Sequence, residues 1–251
     1  MLENTIKFIE KFREVKNLGF VKSHRKGNTG IGKTFEEYMG VVENNLREPD
    51  LFGYEIKTQR SLSGSYVTLF TKSPTNPKKA NIFIRDNYGY IEDIVNNYAI
   101  KKIHSSLFNE SISFNSLAGY GFSLRVDRFS EKIFLIVYDK ENNIINDNIY
   151  YSFENIKKCI EKINNLAYIF AKSKYINGDE YFLFDRAILY SEFIGFENFL
   201  IQIEKRNIMY DIRIGTHRNG RYIGKTHDHG SGFRIKKDNL IKLYSSFIDV
   251  E

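Results

Sequence analysis

Apolar residues recur at helical spacing in Leu2, Ile6, Ile9, Phe12 and Val15, which predicts an amphipathic helix over residues 2–16. A second stripe, Phe35, Met39, Val42 and Leu46, predicts a helix from 35 to about 46, with Thr34 and Glu37 as a capping box at its start. Between them, segment 22–34 is basic and rich in glycine. Short runs of β-branched and aromatic residues then predict strands at 51–58, 66–72 and 80–85. A hairpin is expected from 122–129 to 133–139, turning at Ser130, Glu131 and Lys132, with further strands at 167–175, 181–189 and 209–215. Helical patterns return at 153–164, 192–205 and 238–247, and a second basic, glycine-rich loop ends near Gly232. This order predicts a mixed α+β (α/β) fold with hairpins, without internal repeat or low-complexity tract. Ser and Asn gather at 105–120, so the expected division is into lobes of about 1–110 and 111–251.

Composition narrows the class. With 251 residues, 42% hydrophobic and 27% charged, the chain is long enough for a sizeable core. A net charge of +6 favours a polyanionic partner such as nucleic acid. No apolar run reaches the length of a membrane span. The N-terminal helix carries Glu3, Lys7, Glu10 and Lys11, so it lacks the apolar centre of a signal peptide. One cysteine, Cys159, excludes an internal disulfide and a multi-cysteine zinc site, and the expected compartment is a reducing cytoplasm.

The candidate chemistry lies in Pro49-Asp50-Leu51-Phe52-Gly53-Tyr54-Glu55-Ile56-Lys57. Side chains alternate across a strand, so Glu55 and Lys57 share a face while Tyr54 and Ile56 point the other way. Asp50, in the turn before the strand, is within reach of Glu55. Two adjacent carboxylates make a hard oxygen site suited to Mg²⁺, and a lysine beside them is placed to orient a water or steady a phosphate. An acid-x-Lys triplet also occurs at Glu14-Val15-Lys16, where a polar helix explains it as solvated charge. A charged edge-strand face is the plain alternative at Glu55.

A rival reading comes from Gly27-Asn28-Thr29-Gly30-Ile31-Gly32-Lys33-Thr34, which satisfies the P-loop pattern, with 133–139 resembling a Walker B strand ending at Asp139. A P-loop ATPase needs a buried parallel strand directly before the loop, and Lys22-Ser23-His24-Arg25-Lys26 cannot supply one. Backbone amides and lysines meeting a DNA phosphate use the same physics.

The second basic loop, 213–234, holds three of the five histidines: His217, His227 and His229. His227-Asp228-His229 is open to three readings: a metal site, base recognition in the major groove, or a polar hairpin without a ligand. The turn Thr71-Lys72-Ser73-Pro74-Thr75-Asn76-Pro77-Lys78-Lys79 is rich in donors and suits phosphate or minor-groove contact.

Four stretches together resemble one family: 25–36 (Arg-Lys-Gly-Asn-Thr-Gly-Ile-Gly-Lys-Thr-Phe-Glu), 69–77, 211–215 (Asp-Ile-Arg-Ile-Gly) and 224–230 (Gly-Lys-Thr-His-Asp-His-Gly). In these the chain is similar to type II restriction endonucleases of the MvaI/BcnI family. The resemblance implies a MutH-like PD-(D/E)xK restriction-endonuclease fold with two lobes around DNA. It implies a monomer that cuts a CC-N-GG-type pentanucleotide one strand at a time, in a bacterial cytoplasm, beside a cognate DNA methyltransferase. Catalytic residues would be Glu36, Asp50, Glu55 and Lys57. The metal positions would be Asp50, Glu55 and Ile56, for one or two Mg²⁺ ions that Mn²⁺ replaces. Double-stranded DNA would meet Lys26, Asn28, Thr29 and Lys33 in the first loop and Lys72, Ser73 and Asn76 in the turn. In the second loop it would meet Arg213, His217, Lys225, His227, Asp228, His229 and Arg234. A MutH-like repair nickase is the alternative within the same chemistry.

Overall fold

The computed structural model describes residues 2–41, 49–61, 64 and 66–251. In chain order these form α1 (Leu2–Asn17), β1 (Val21–Lys22), α2 (Gly30–Met39), β2 (Glu55–Arg60), β3 (Val67–Thr71), α3 (Ala80–Tyr88), β4 (Tyr90–Val95), β5 (Tyr98–Leu107), β6 (Ser113–Asn115), β7 (Tyr120–Asp127), β8 (Lys132–Tyr138), β9 (Ile144–Ser152), α4 (Phe153–Ile160), β10 (Leu166–Ile176), β11 (Asp179–Phe193), α5 (Phe196–Glu204), β12 (Ile208–Thr216), β13 (Thr226–Asp228), β14 (Gly232–Ile235) and β15 (Tyr244–Val250). Turns of 3₁₀ helix lie at Glu161–Ile163, Gly220–Tyr222 and Lys237–Leu243. No described helix is long and apolar enough to cross a membrane.

The chain divides into two units, one of residues 1–65, 160–195 and 240–251, the other of 66–159 and 196–239. The division expected at 105–120 falls inside the second unit. The physical reason is strand pairing: β5 is zipped antiparallel to β12, with Leu107 opposite Tyr210, so the segments flanking residue 110 stay in one unit.

The first unit carries a five-stranded sheet ordered β1-β11-β10-β2, with β15 also on β11. β2 runs parallel to β10, placing Leu166 opposite Glu55 and Tyr168 opposite Lys57. One core joins Phe8 and Phe12 of α1, Phe35 and Met39 of α2, and Tyr54, Ile56, Ile169, Phe182 and Phe184 of the sheet side. Each such side chain contributes about 1.5–3 kcal/mol by leaving water. The buried stripe of α1 is Thr5, Phe8, Phe12 and Val15, whereas Leu2 and Ile6 of the expected stripe are exposed. Thr5 is accommodated because its hydroxyl bonds the Tyr54 hydroxyl at 2.9 Å.

Helix α2 begins at Gly30, earlier than its apolar stripe suggests, and the expected capping box is not formed. Thr34 lies within the helix, fully buried, where its hydroxyl accepts the His24 N–H at 2.9 Å. Val42 and Leu46 of the expected stripe lie outside the described residues. A Cβ on Gly30 would stand 2.1 Å from the Arg25 carbonyl oxygen. Gly30→Ala is therefore expected to destabilise the fold by about 1–3 kcal/mol, as overpacking does. Chemical unfolding measures this, and unchanged stability would contradict the close approach.

The second unit holds a six-stranded sheet ordered β3-β14-β12-β5-β4, with β13 on β12, and a four-stranded sheet ordered β6-β7-β8-β9. Phe70, Tyr151, Phe199, Tyr210 and Phe233 pack with ring centroids 5.2–5.8 Å apart and lock β12 to β14. The strand expected at 80–85 is helix α3: Ala80, Ile84 and Tyr88 form a buried i, i+4 stripe, and a local apolar run concealed it. The helix expected at 238–247 is a 3₁₀ turn followed by β15, drawn into extended form by the open edge of β11. Strands β4, β5 and β9 form where no strand was expected.

Candidate active site and nucleic-acid interface

Strand β2 begins at Glu55, and parallel pairing with β10 holds it at full extension. Tyr54 and Ile56 are buried in the helix-facing core, which turns Glu55 and Lys57 to the opposite face. Lys57 Nζ bonds Glu55 Oε1 at 2.6 Å. Asp50 Oδ2 accepts the Ile56 N–H at 2.8 Å, which ties the preceding turn to the strand. Asp50, Glu55 and Lys57 are thus gathered as the spacing predicts. Ile56 is 4% exposed and its side chain is spent on the core, so it has only its main-chain carbonyl to offer a metal.

Sequence reasoning missed Lys162. It stands in the 3₁₀ turn just before β10, and its Nζ lies 3.0 Å from Glu55 Oε2 and 3.6 Å from Asp50 Oδ1. Burial opposes its charge, yet the Glu55 and Asp50 carboxylates outweigh that and raise its pKa above the usual lysine value. Glu55 Oε2 is buried and makes no hydrogen bond of normal geometry. Among the described residues no three His, Cys, Asp or Glu side chains converge as a metal cluster, so the acids form a pair. Such a pair with an under-satisfied buried oxygen fits a hard divalent ion that fills its remaining positions with water and phosphate.

Glu36 is on α2. A Cβ on Gly32 would lie 3.4 Å from Thr58 Oγ1 and 3.7 Å from Glu36 Oε1, so both side chains reach toward Gly32 of the same helix. By strand alternation Thr58 shares the Ile56 face, away from Glu55 and Lys57.

The first basic loop does not form a nucleotide cradle. The strand before it, β1, has two residues and runs antiparallel to β11. Lys33 Nζ pairs with Glu37 Oε1 at 3.2 Å, and Thr34 is buried. Asp139 caps the turn after β8 through the backbone N–H groups of Glu141 and Asn143. The ATPase reading is thereby set aside. Lys26 and Asn28 instead line a pocket of about 290 Å³ with Arg25, Arg60 and Glu180. Thr29 is exposed at the helix start.

The second basic loop is organised on β12, β13 and β14. Asp211, a further residue missed at first, accepts Ser106 Oγ at 3.0 Å and faces Arg234 Nε at 3.2 Å and Arg213 Nε at 3.4 Å. It aligns two guanidiniums on one surface. Arg234 Nη2 also bonds the Gly230 carbonyl at 2.9 Å, and burial lowers its pKa from the ordinary arginine value. The rings of His217 and His227 stack at 4.2 Å, and His229 lies 4.1 Å from His227. His104 of β5 joins this row, 6.2 Å from His229; burial, then Lys102 and Arg213, lower its pKa. These rings line a depression of about 550 Å³ with Arg213 and Arg218. Lys225 Nζ sits over the Tyr222 ring at 5.3 Å.

Two of the expected DNA-contacting residues have structural work. Asp228 Oδ1 accepts the N–H groups of Gly230 and Ser231 and the Ser231 hydroxyl, while Oδ2 accepts Asn81 Nδ2 at 2.9 Å. Asn76 donates Nδ2 to the Asn148 carbonyl at 2.6 Å and so fastens its turn to β9. Lys72 uses its backbone to reach Ser231 and Tyr210, and Ser73 is exposed beside it.

A mixed sheet with an acid pair and lysine at the start of one strand defines a PD-(D/E)xK-like nuclease. The family model described as the MvaI/BcnI restriction endonuclease family matches residues 9–244. The chain belongs to that family and is a site-specific deoxyribonuclease. It is similar to the solved structure "Restriction endonuclease MvaI-cognate DNA substrate complex", with 35% identity, 97% of each chain covered and a TM-score of 0.88. It is also similar to "Restriction endonuclease MvaI in the absence of DNA", with 33% identity, 100% of this chain and 99% of the other covered, and a TM-score of 0.64. The comparison with curated proteins gave no match.

Proposed function

We propose that the chain hydrolyses phosphodiester bonds of double-stranded DNA with Mg²⁺, or Mn²⁺ in its place, at a CC-N-GG-type pentanucleotide. The observation that carries this is the convergence of Asp50, Glu55 and Lys57 at the start of β2, with the second, buried Glu55 oxygen facing the Lys162 ammonium. Family membership supports the use of a divalent ion. Such an ion, when bound, polarises the scissile phosphate and acidifies a water. Asp50 and Glu55 would hold it, with the Ile56 carbonyl as a third oxygen. Lys57, steered by Glu55, orients the attacking water and offsets charge on the phosphate. Glu36, on α2, is the additional acid of the site.

Arg213, His227, His229 and Arg234 are proposed as base readers, since Arg and His donate to guanine O6 and N7. His217 supports His227 by stacking. Asp228 acts by shaping the loop. Lys26, Asn28, Thr29, Lys33, Lys72, Ser73 and Lys225 suit phosphate contact, and Asn76 holds its turn in place. The reading extends to a monomer that cuts the two strands one after the other. A cytoplasmic enzyme of this kind requires host sites protected by a cognate methyltransferase.

Digesting a sequenced plasmid with Mg²⁺ and mapping the ends tests the reading. Expected are ends at one recurrent pentanucleotide and no cleavage in EDTA. Scattered ends, or cutting that persists in EDTA, would sink it.

A further inference from the structure

The oxygens of the acid pair are divided between partners. Asp50 Oδ2 is taken by the Ile56 N–H and Glu55 Oε1 by Lys57. The two that remain, Asp50 Oδ1 and Glu55 Oε2, are those that Lys162 faces, at 3.6 and 3.0 Å. These are the oxygens of the pair that the Ile56 N–H and Lys57 leave to a cation.

The turn that carries Lys162 is well anchored. Ile163 is fully buried, and its carbonyl accepts the Tyr244 hydroxyl at 2.8 Å. The Lys162 side chain itself remains 34% exposed, so its long stem has room to swing into solvent while the turn stays fixed. Glu55, by contrast, is 5% exposed and cannot be left without a counter-charge at little cost. The carboxylates of Asp50, in the turn, and Glu55, at the start of β2, would repel each other, and the ammonium that faces both offsets that repulsion.

We propose that Lys162 is a built-in stand-in cation, which occupies the place between Asp50 and Glu55 in the metal-free enzyme and is displaced when a divalent ion binds. This rests on the reading of Asp50 and Glu55 as metal ligands. Lys162 is then a positioning residue. It keeps the acids close and correctly turned before the ion arrives, and it weakens ion binding by the cost of its own displacement. A divalent ion has the advantage in charge and in forming direct bonds with both oxygens, and DNA phosphate supplies the ion with further ligands.

The test is Mn²⁺ binding by isothermal calorimetry to the full chain without DNA, for wild type, Lys162→Met, Lys162→Arg and Asp50→Asn. Removing the competing charge should tighten Mn²⁺ binding by about tenfold in Lys162→Met, whereas Lys162→Arg stays near wild type. Equal or weaker binding by Lys162→Met overturns the inference. A second measurement needs no variant. Wild-type protein is labelled with an amine acetylating reagent, and Lys162 modification is read by mass spectrometry. Saturating Mn²⁺ should raise Lys162 labelling several-fold as the ammonium is released, and unchanged labelling overturns the proposal. Asp50→Asn separates the two layers. If it binds Mn²⁺ as wild type does, the metal-ligand reading itself fails and the Lys162 role with it. If it loses binding while Lys162→Met binds no tighter, the stand-in role alone falls.

Discussion

Replacing Glu55 by Ala is expected to lower single-turnover cleavage of a cognate duplex by about 10³-fold or more, while binding to that duplex is retained. The size follows from removing charge stabilisation worth several kcal/mol, at about 1.4 kcal/mol per tenfold in rate. Glu55 contacts two ammoniums, Lys57 at Oε1 and Lys162 at Oε2, so its loss dismantles the acid pair and unseats the motif lysine together. Lys57→Ala removes the ammonium proposed to orient the attacking water, leaves both acids, and should be nearly as severe. Because the carboxylate is negative, its removal does not weaken attraction to phosphate, and a gel-shift assay should show cognate binding near wild type. Cutting that survives in both variants would remove this mechanism. Loss of binding along with cutting would mean that the variants are misfolded, which circular dichroism and thermal melting would reveal.

Arg234→Ala and Arg213→Ala are each expected to cost about 1–3 kcal/mol in cognate affinity, with little change on unrelated duplexes, so that sequence discrimination collapses. Asp211→Ala should reproduce much of that loss without touching a base. Its carboxylate faces both guanidiniums, and without it their positive charges repel and their geometry relaxes. Asp228→Ala should also weaken discrimination, but with a measurable fall in stability, because three donors from Gly230 and Ser231 and one from Asn81 lose their acceptor. Competition binding with cognate and scrambled duplexes, run with thermal melts, separates readers from loop-shaping residues. If the two arginine variants keep full discrimination, this surface is not the reader. Phosphate contacts from the lysines should make affinity fall steeply with salt in wild type, and both arginine variants should keep most of that slope.

The site illustrates how far local pattern reaches. Glu55 and Lys57 were legible because strand alternation is a property of backbone geometry, and Asp50 because it sits in the turn before the strand, where the paired Leu51 and Tyr54 fold the chain back and bring its carboxylate to the Ile56 N–H. Arg213, the histidines and Arg234 were legible as a chemical group, since one loop and its flanking strands hold them. Elsewhere the local signal misled. The apolar run at 82–84 suits strand or helix equally, and only burial of Ala80, Ile84 and Tyr88 on one side decides for α3. Residues 238–247 carry a helical pattern, but the hydrogen-bonding edge of β11 claims the chain from Tyr244 onward as β15. The P-loop pattern was complete, yet its meaning depends on the strand that precedes it, and here that strand is short and antiparallel.

By itself, then, the sequence determined the acid-x-lysine face, the two basic loops and the family, because each is written in neighbouring residues. Tertiary structure alone decided that Lys162 would face Asp50 and Glu55, that Asp211 would stand between Arg213 and Arg234, and that Asp228 and Asn76 would be spent on their turns. The first two depend on strand register, which matches Leu166 to Glu55 and Met209 to Arg234 across long stretches of chain, and the last on contacts of the turns with Asn81 and Asn148. Register is set by packing of whole sheets, where shifting a strand by one residue turns every side chain to the other face, and no local window of sequence contains that information.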